Sequence, residues 1–106
     1  MNNSPSTQNQ RHYERMRETL ATIQSDKDMG SLGSLIATLD FLFESLEGVN
    51  ADWKDKFRKH WGILEEVNAF VLDEGRTGFS DDERKLLNHA VEDLKFLVKE
   101  AIHPAS

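Results

Sequence analysis

Between Leu32 and Leu46 the chain repeats apolar residues at intervals of three and four: Leu32, Leu35, Ile36, Leu39, Leu42, Phe43 and Leu46. Placed at helical spacing they fall within about 120°, a continuous core face that a strand period of two cannot produce. Three further segments carry the same spacing, and none shows sustained alternation with β-branched enrichment, so the expected class is all-α.

Punctuation divides the four segments. A polar tail over residues 1–7 is expected to be disordered, with Ser4 before Pro5, or Thr7 before Gln10, as candidate caps. A first helix is then expected from about Gln8 to Asp28. Its seam of Tyr13, Met16, Leu20 and Ile23 spans only about 80°, which makes it the least committed element. Gly30 and Gly33 are expected to break it from a second helix starting at Ser31 or Ser34 and ending at Leu46, before Gly48. The third helix is expected over Asp52–Asp73, with apolar residues spread over about 200°, wide enough to touch two neighbours. Gly75 and Gly78 close it, and Ser80 with Glu83 forms a Ser-x-x-Glu capping box opening a fourth helix that runs to His103 before Pro104. Short loops favour antiparallel neighbours. The expected architecture is a single domain over residues 8–103, an up-down-up-down four-helix bundle, with a three-helix core and a donated first helix as the variant.

At 106 residues there is room for one domain and one core. With no cysteine, the chain has no disulfide framework, thiolate metal site or thiol nucleophile, and a reducing, cytoplasmic setting is expected. No run approaches the length of a membrane span and no secretion signal is readable, so no membrane partner is expected. Thirteen Lys and Arg against nineteen Asp and Glu leave a net charge of −6, which makes nucleic acid an unlikely partner and a basic protein a better one.

That acidity is unevenly distributed. Residues 31–49 carry three acidic groups, Asp40, Glu44 and Glu47, and no basic one. The third helix opens with Lys54, Lys56, Arg58 and Lys59 and closes with Glu65, Glu66, Asp73 and Glu74, the reverse of what its dipole prefers. Two explanations compete. In an antiparallel hairpin Glu44 and Glu47 could pair with those cations, or Trp53 to Trp61 could form a basic, aromatic contact patch for a partner.

Candidate chemistry is thin. His60 falls within the apolar arc of the third helix, where an imidazole is usually a hydrogen-bonded core group and occasionally a tuned proton carrier. His89 is followed by Glu92 and Asp93 on one helical edge, but di-metal bundles require two Glu-x-x-His motifs and the chain has one, Glu100 to His103, so neither metal nor cofactor is expected. A histidine-bearing bundle invites comparison with histidine phosphotransfer domains, whose histidine is followed at three residues by Lys and then Gly; the residues after His60 (Trp61, Gly62, Ile63) and after His89 (Ala90, Val91, Glu92) do not fit. Serines sit mostly in tails, caps and breakers, outside any nucleophile turn.

Phe41 and Phe96 lie opposite or outside their helices' core stripes. Surplus apolar surface and acidic faces together give the functional expectation: a non-catalytic, homodimeric protein-binding bundle acting as a small bacterial or phage regulator of inhibitor, immunity or antitoxin type. The alternatives are an adaptor or assembly subunit working through the first helix, and a histidine-dependent phosphotransfer or signalling domain. If the partner is basic, it is expected at the second helix and the far half of the third.

Overall fold

Among the described residues four helices form, α1 over Pro5–Ala21, α2 over Met29–Glu44, α3 over Ala51–Asp73 and α4 over Asp81–Ile102. This computed structural model describes residues 5–22, 29–76 and 78–102. Pro5 stands at the first helical position, where its missing N–H costs nothing, so residues 5–7 belong to α1 and not to a disordered tail. The expected continuation of the first helix to Asp28, with Ile23 in its seam, lies outside the described residues beyond Thr22, as do Ser4 and His103.

The second helix departs from expectation at its start. Gly30 and Gly33 lie inside α2 instead of ahead of it. Each costs about 1 kcal/mol relative to alanine in a helix, but the turns that contain them bury Leu32 and Ile36 in the core. Tertiary packing outweighs the local penalty. The helix ends at Glu44, two residues early, and the Ser45 and Leu46 N–H groups tighten the exit by donating to the Leu42 and Phe43 carbonyls at 3.2 and 3.1 Å. Leu46 remains buried.

The boundaries of α3 and α4 follow local chemistry. Asn50 caps α3, its Oδ1 accepting from the N–H groups of Asp52 at 2.8 Å and Trp53 at 3.3 Å. At the other end Gly75 takes φ +68°, and the N–H groups of Gly75 and Arg76 donate to the Leu72 and Val71 carbonyls, the two bonds of a Schellman motif. The capping box forms as expected: Ser80 N–H donates to Glu83 Oε1 at 2.8 Å, and Glu83 N–H donates to Ser80 Oγ at 3.2 Å.

Each helix packs on two others, α1 on α2 and α4, and α3 on α2 and α4, with the α1/α3 and α2/α4 pairs on the diagonals. Contacts between opposite ends set every neighbour antiparallel: Asn9 to Glu47, Gln10 to Ile102, Trp53 to Leu97 and Phe43 to Phe57. The chain is an antiparallel up-down-up-down four-helix bundle. Its thin first seam is enough, because Tyr13, Met16 and Leu20 are all buried against the chain's own bundle. Among the described residues no helix is long and apolar enough to cross a membrane.

Candidate binding groove between α2 and α3

The antiparallel crossing of α2 and α3 lays the end of one against the start of the other and stacks their aromatic residues. The Phe43 and Phe57 rings are 4.8 Å apart and 15° from parallel, Trp53 stacks on Phe57 at 5.4 Å, and Tyr13 meets Trp53 edge-on at 5.5 Å. Burial raises the pKa of the Tyr13 phenol. Both indole N–H groups are spent on distant carbonyls, Trp53 Nε1 on Leu97 at 3.0 Å and Trp61 Nε1 on Ile36 at 3.1 Å. These bonds fix the rings across helix pairs.

Above this stack the two helices leave a groove of about 290 Å³. Phe43, Phe57 and Trp61 form its walls, and Asp40, Arg58 and Glu65 its charged rim, with Gly62 between them. The Arg58 guanidinium lies 5.0 Å above the centre of the Phe43 ring, and Lys54 Nζ lies 5.7 Å from the same centre. A side chain at Gly62 would project into open space, since nothing lies within 4 Å of an ideal Cβ there.

The internal pairing expected for the start of α3 does not form. Among the described residues no ion pair joins Glu44 or Glu47 to Lys54, Lys56, Arg58 or Lys59. Lys54 and Arg58 turn to the Phe43 ring, and Lys56 pairs with Asp52 of its own helix at 3.4 Å. Nor do the aromatics form an exposed patch with these cations: Phe57 is 1% exposed, and Trp53 and Trp61 pack against the core. Lys59 is exposed and unpaired among the described residues.

The acidic residues expected to share one surface are divided by the same antiparallel geometry. Asp40 and Glu65 come together at the groove. Glu44 and Glu47 lie toward the start of α3, and Glu66 lines a different groove, of about 450 Å³, with Val67, Phe70, Glu83 and Leu86 on the α3/α4 side.

His60 and His89 also separate. His60 faces α4, its Nδ1 3.5 Å from Asp93 Oδ2, but this buried nitrogen has no hydrogen-bond partner. His89 is exposed. Among the described residues no group of three His, Asp or Glu side chains gathers to hold a metal.

Phe41 and Phe96 are exposed as expected, by 69% and 59%. Each sits about 180° from the centre of its helix's buried stripe, and α2 and α4 are diagonal, so the two rings point to opposite sides of the bundle. They cannot belong to one patch.

Two further features had no signal in local sequence pattern. Asn9 reaches Glu47, and Arg76 clamps the α3–α4 turn, donating from Nη1 and Nη2 to the two Glu83 oxygens at 3.0 and 2.6 Å and from Nε to Glu74 Oε1 at 2.8 Å. These Arg76 hydrogen bonds, with help from the Ser80 N–H, hold the Glu83 carboxyl down at about 2. In return the carboxylates raise the pKa of Arg76.

Comparison of the chain with protein families, with curated proteins and with solved structures finds no match.

Proposed function

We propose that this chain is a non-catalytic protein-binding bundle, a small acidic regulator of inhibitor, immunity or antitoxin type, whose α2/α3 face meets a basic protein. The observation that carries this reading is the groove itself: aromatic walls beneath two carboxylates, Asp40 and Glu65, that form no ion pair among the described residues. Its α2 side is wholly acidic, since residues 31–49 carry no Lys or Arg. An acidic face of that kind steers a basic partner and speeds encounter.

The test is charge reversal at the groove. A basic protein held by the wild type and released by Asp40→Lys/Glu65→Lys, with association slowing as salt rises, supports the reading. Equal capture by both forms, or capture of an acidic protein, overturns it.

A second copy of the chain belongs to the same proposal, and a specific observation favours a place for it. Phe70 and Leu86, 54% and 51% exposed, share the α3/α4 groove with Val67. Two neighbouring apolar side chains make a better self-complementary surface than the isolated Phe41 or Phe96. The adaptor alternative asks α1 to engage another chain, whereas Tyr13, Met16 and Leu20 are already buried in this one.

A further inference from the structure

The α2/α3 groove carries three charged side chains, and all three are unspent. Asp40, Glu65 and Arg58 form no side-chain hydrogen bond or ion pair among the described residues, Arg58 being held only by the Phe43 ring. Their charges sum to −1. One added positive charge brings the groove to neutrality, which an anion or a neutral apolar group does not.

The walls suit the rest of such a ligand. Trp61, half-buried at the groove, offers apolar surface to an aliphatic stem and a face to a cationic head, while Phe43 and Phe57, 3% and 1% exposed, lie beneath it as the floor. Arg58 on Phe43 already shows this floor accepting a guanidinium. Arg58 and Glu65 are two helical turns apart, about 10 Å along α3. Asp40 lies between Phe43, which meets Phe57, and Ile36, which meets Trp61, so it stands at the level of Arg58, and repulsion from Arg58 directs an incoming cation toward Glu65.

Gly62 supplies an independent argument. Glycine is the worst helix-interior residue after proline, yet Gly62 sits in the middle of α3 with nothing within 4 Å of where its Cβ would be. No close approach among the described residues explains it. The space it leaves open is the groove.

We propose that this groove takes a single cationic side chain, an arginine or a lysine, presented by a protein partner. The proposal rests on the protein-binding reading and adds the chemistry of what is bound at its centre. Arginine is the better fit, because a planar guanidinium stacks on aromatic rings and forks to carboxylates.

The experiment titrates the full chain with N-acetyl-arginine amide and follows the Trp61 indole N–H and Gly62 amide resonances by NMR, with N-acetyl-citrulline amide as the uncharged analogue of the same shape. The expected result is a saturable shift with the arginine amide alone, weakened about tenfold or more in Asp40→Asn/Glu65→Gln. Gly62→Leu fills the groove and removes the response while helicity is kept; Gly62→Ala, which adds one methyl to open space, serves if the larger variant fails to fold, and it diminishes the response. No saturable shift, an equal shift with the citrulline analogue, or a response unchanged by both Gly62 variants overturns the proposal. Capture of a basic protein by the wild type, lost on Asp40→Lys/Glu65→Lys, alongside no arginine response would leave the protein-binding reading standing and this inference fallen. An arginine response with no such capture would overturn the protein-binding reading and, with it, the claim that a protein presents the cation.

Discussion

The side-chain amide of Asn9 in α1 pairs with both backbone groups of Glu47 in the α2–α3 loop. Its Nδ2 donates to the Glu47 carbonyl at 2.7 Å, and its Oδ1 accepts from the Glu47 N–H at 3.0 Å. One donor and one acceptor meeting complementary groups leave no freedom in how the amide is oriented. Asn9 is also buried, 8% exposed, which is unusual for an asparagine and follows from both its polar atoms being satisfied.

Removing that amide strands two loop groups. Asn9→Ala is expected to lower stability by about 1–3 kcal/mol, the range for leaving polar partners unsatisfied. Asn9→Asp is expected to lose as much at neutral pH, because a carboxylate oxygen replaces a donor 2.7 Å from a carbonyl oxygen. Urea unfolding of the three proteins checks both, and an aspartate variant as stable as wild type contradicts the pairing.

The turn between α3 and α4 makes an acid-side prediction. Glu83 titrates at about 2 in the fold against an ordinary 4.5, chiefly through the Arg76 hydrogen bonds. A folded value below the unfolded one means that the stabilisation is complete above the ordinary value and is lost as pH falls from there toward 2. Glu83→Gln has no such carboxylate to protonate. The stability gap between wild type and Glu83→Gln is therefore expected to be widest above about pH 5 and to close toward about pH 2, as chemical denaturation across that range reads directly.

Two phenylalanines in adjacent helices should respond oppositely to one chemical change. Phe57 is 1% exposed and stacked between Phe43 and Trp53; Phe41 is 69% exposed. Phe57→Ala is expected to cost about 3–5 kcal/mol through lost burial and the cavity left behind. Phe41→Ala is expected to stay within about 0.5 kcal/mol. Thermal unfolding monitored by circular dichroism distinguishes them.

These contrasts mark what was legible in the sequence. The start of α4 was, because the Ser80–Glu83 capping box and Gly75 act within a few residues of themselves. The exposure of Phe41 and Phe96 followed from helical periodicity alone. Gly30 and Gly33 misled, since their local cost is outweighed by core contacts that only the folded bundle supplies. Asn9 and Glu47 are 38 positions apart, and no local pattern announces their pairing. The groove is likewise a product of two helices crossing: it joins Asp40 to Glu65 and carries Glu44, Glu47 and Glu66 elsewhere, although all five look alike along the chain.

Gly33 tests that account of α2. A Cβ there would lie 3.6 Å from Asn68 Nδ2, an ordinary contact, and Gly33 has no positive φ. Gly33→Ala is expected to raise stability by about 0.5–1 kcal/mol by restricting the unfolded chain without a clash. A destabilised variant would mean that α3 approaches more closely than this.

Self-association separates the exposed aromatics by geometry. An interface between two copies related by a two-fold axis uses the same patch on each, and Phe41 and Phe96 point from diagonal helices to opposite sides, so one such interface can hold only one of them. Phe70 and Leu86 instead flank a single groove with Val67. If the chain dimerises through this surface, Phe70→Asp is expected to return it to a monomer by light scattering while Phe41→Asp and Phe96→Asp leave the dimer intact. A dimer lost with Phe41→Asp and kept with Phe70→Asp would move the interface to α2, next to the groove where the basic partner is proposed to bind, and the two kinds of association would then compete.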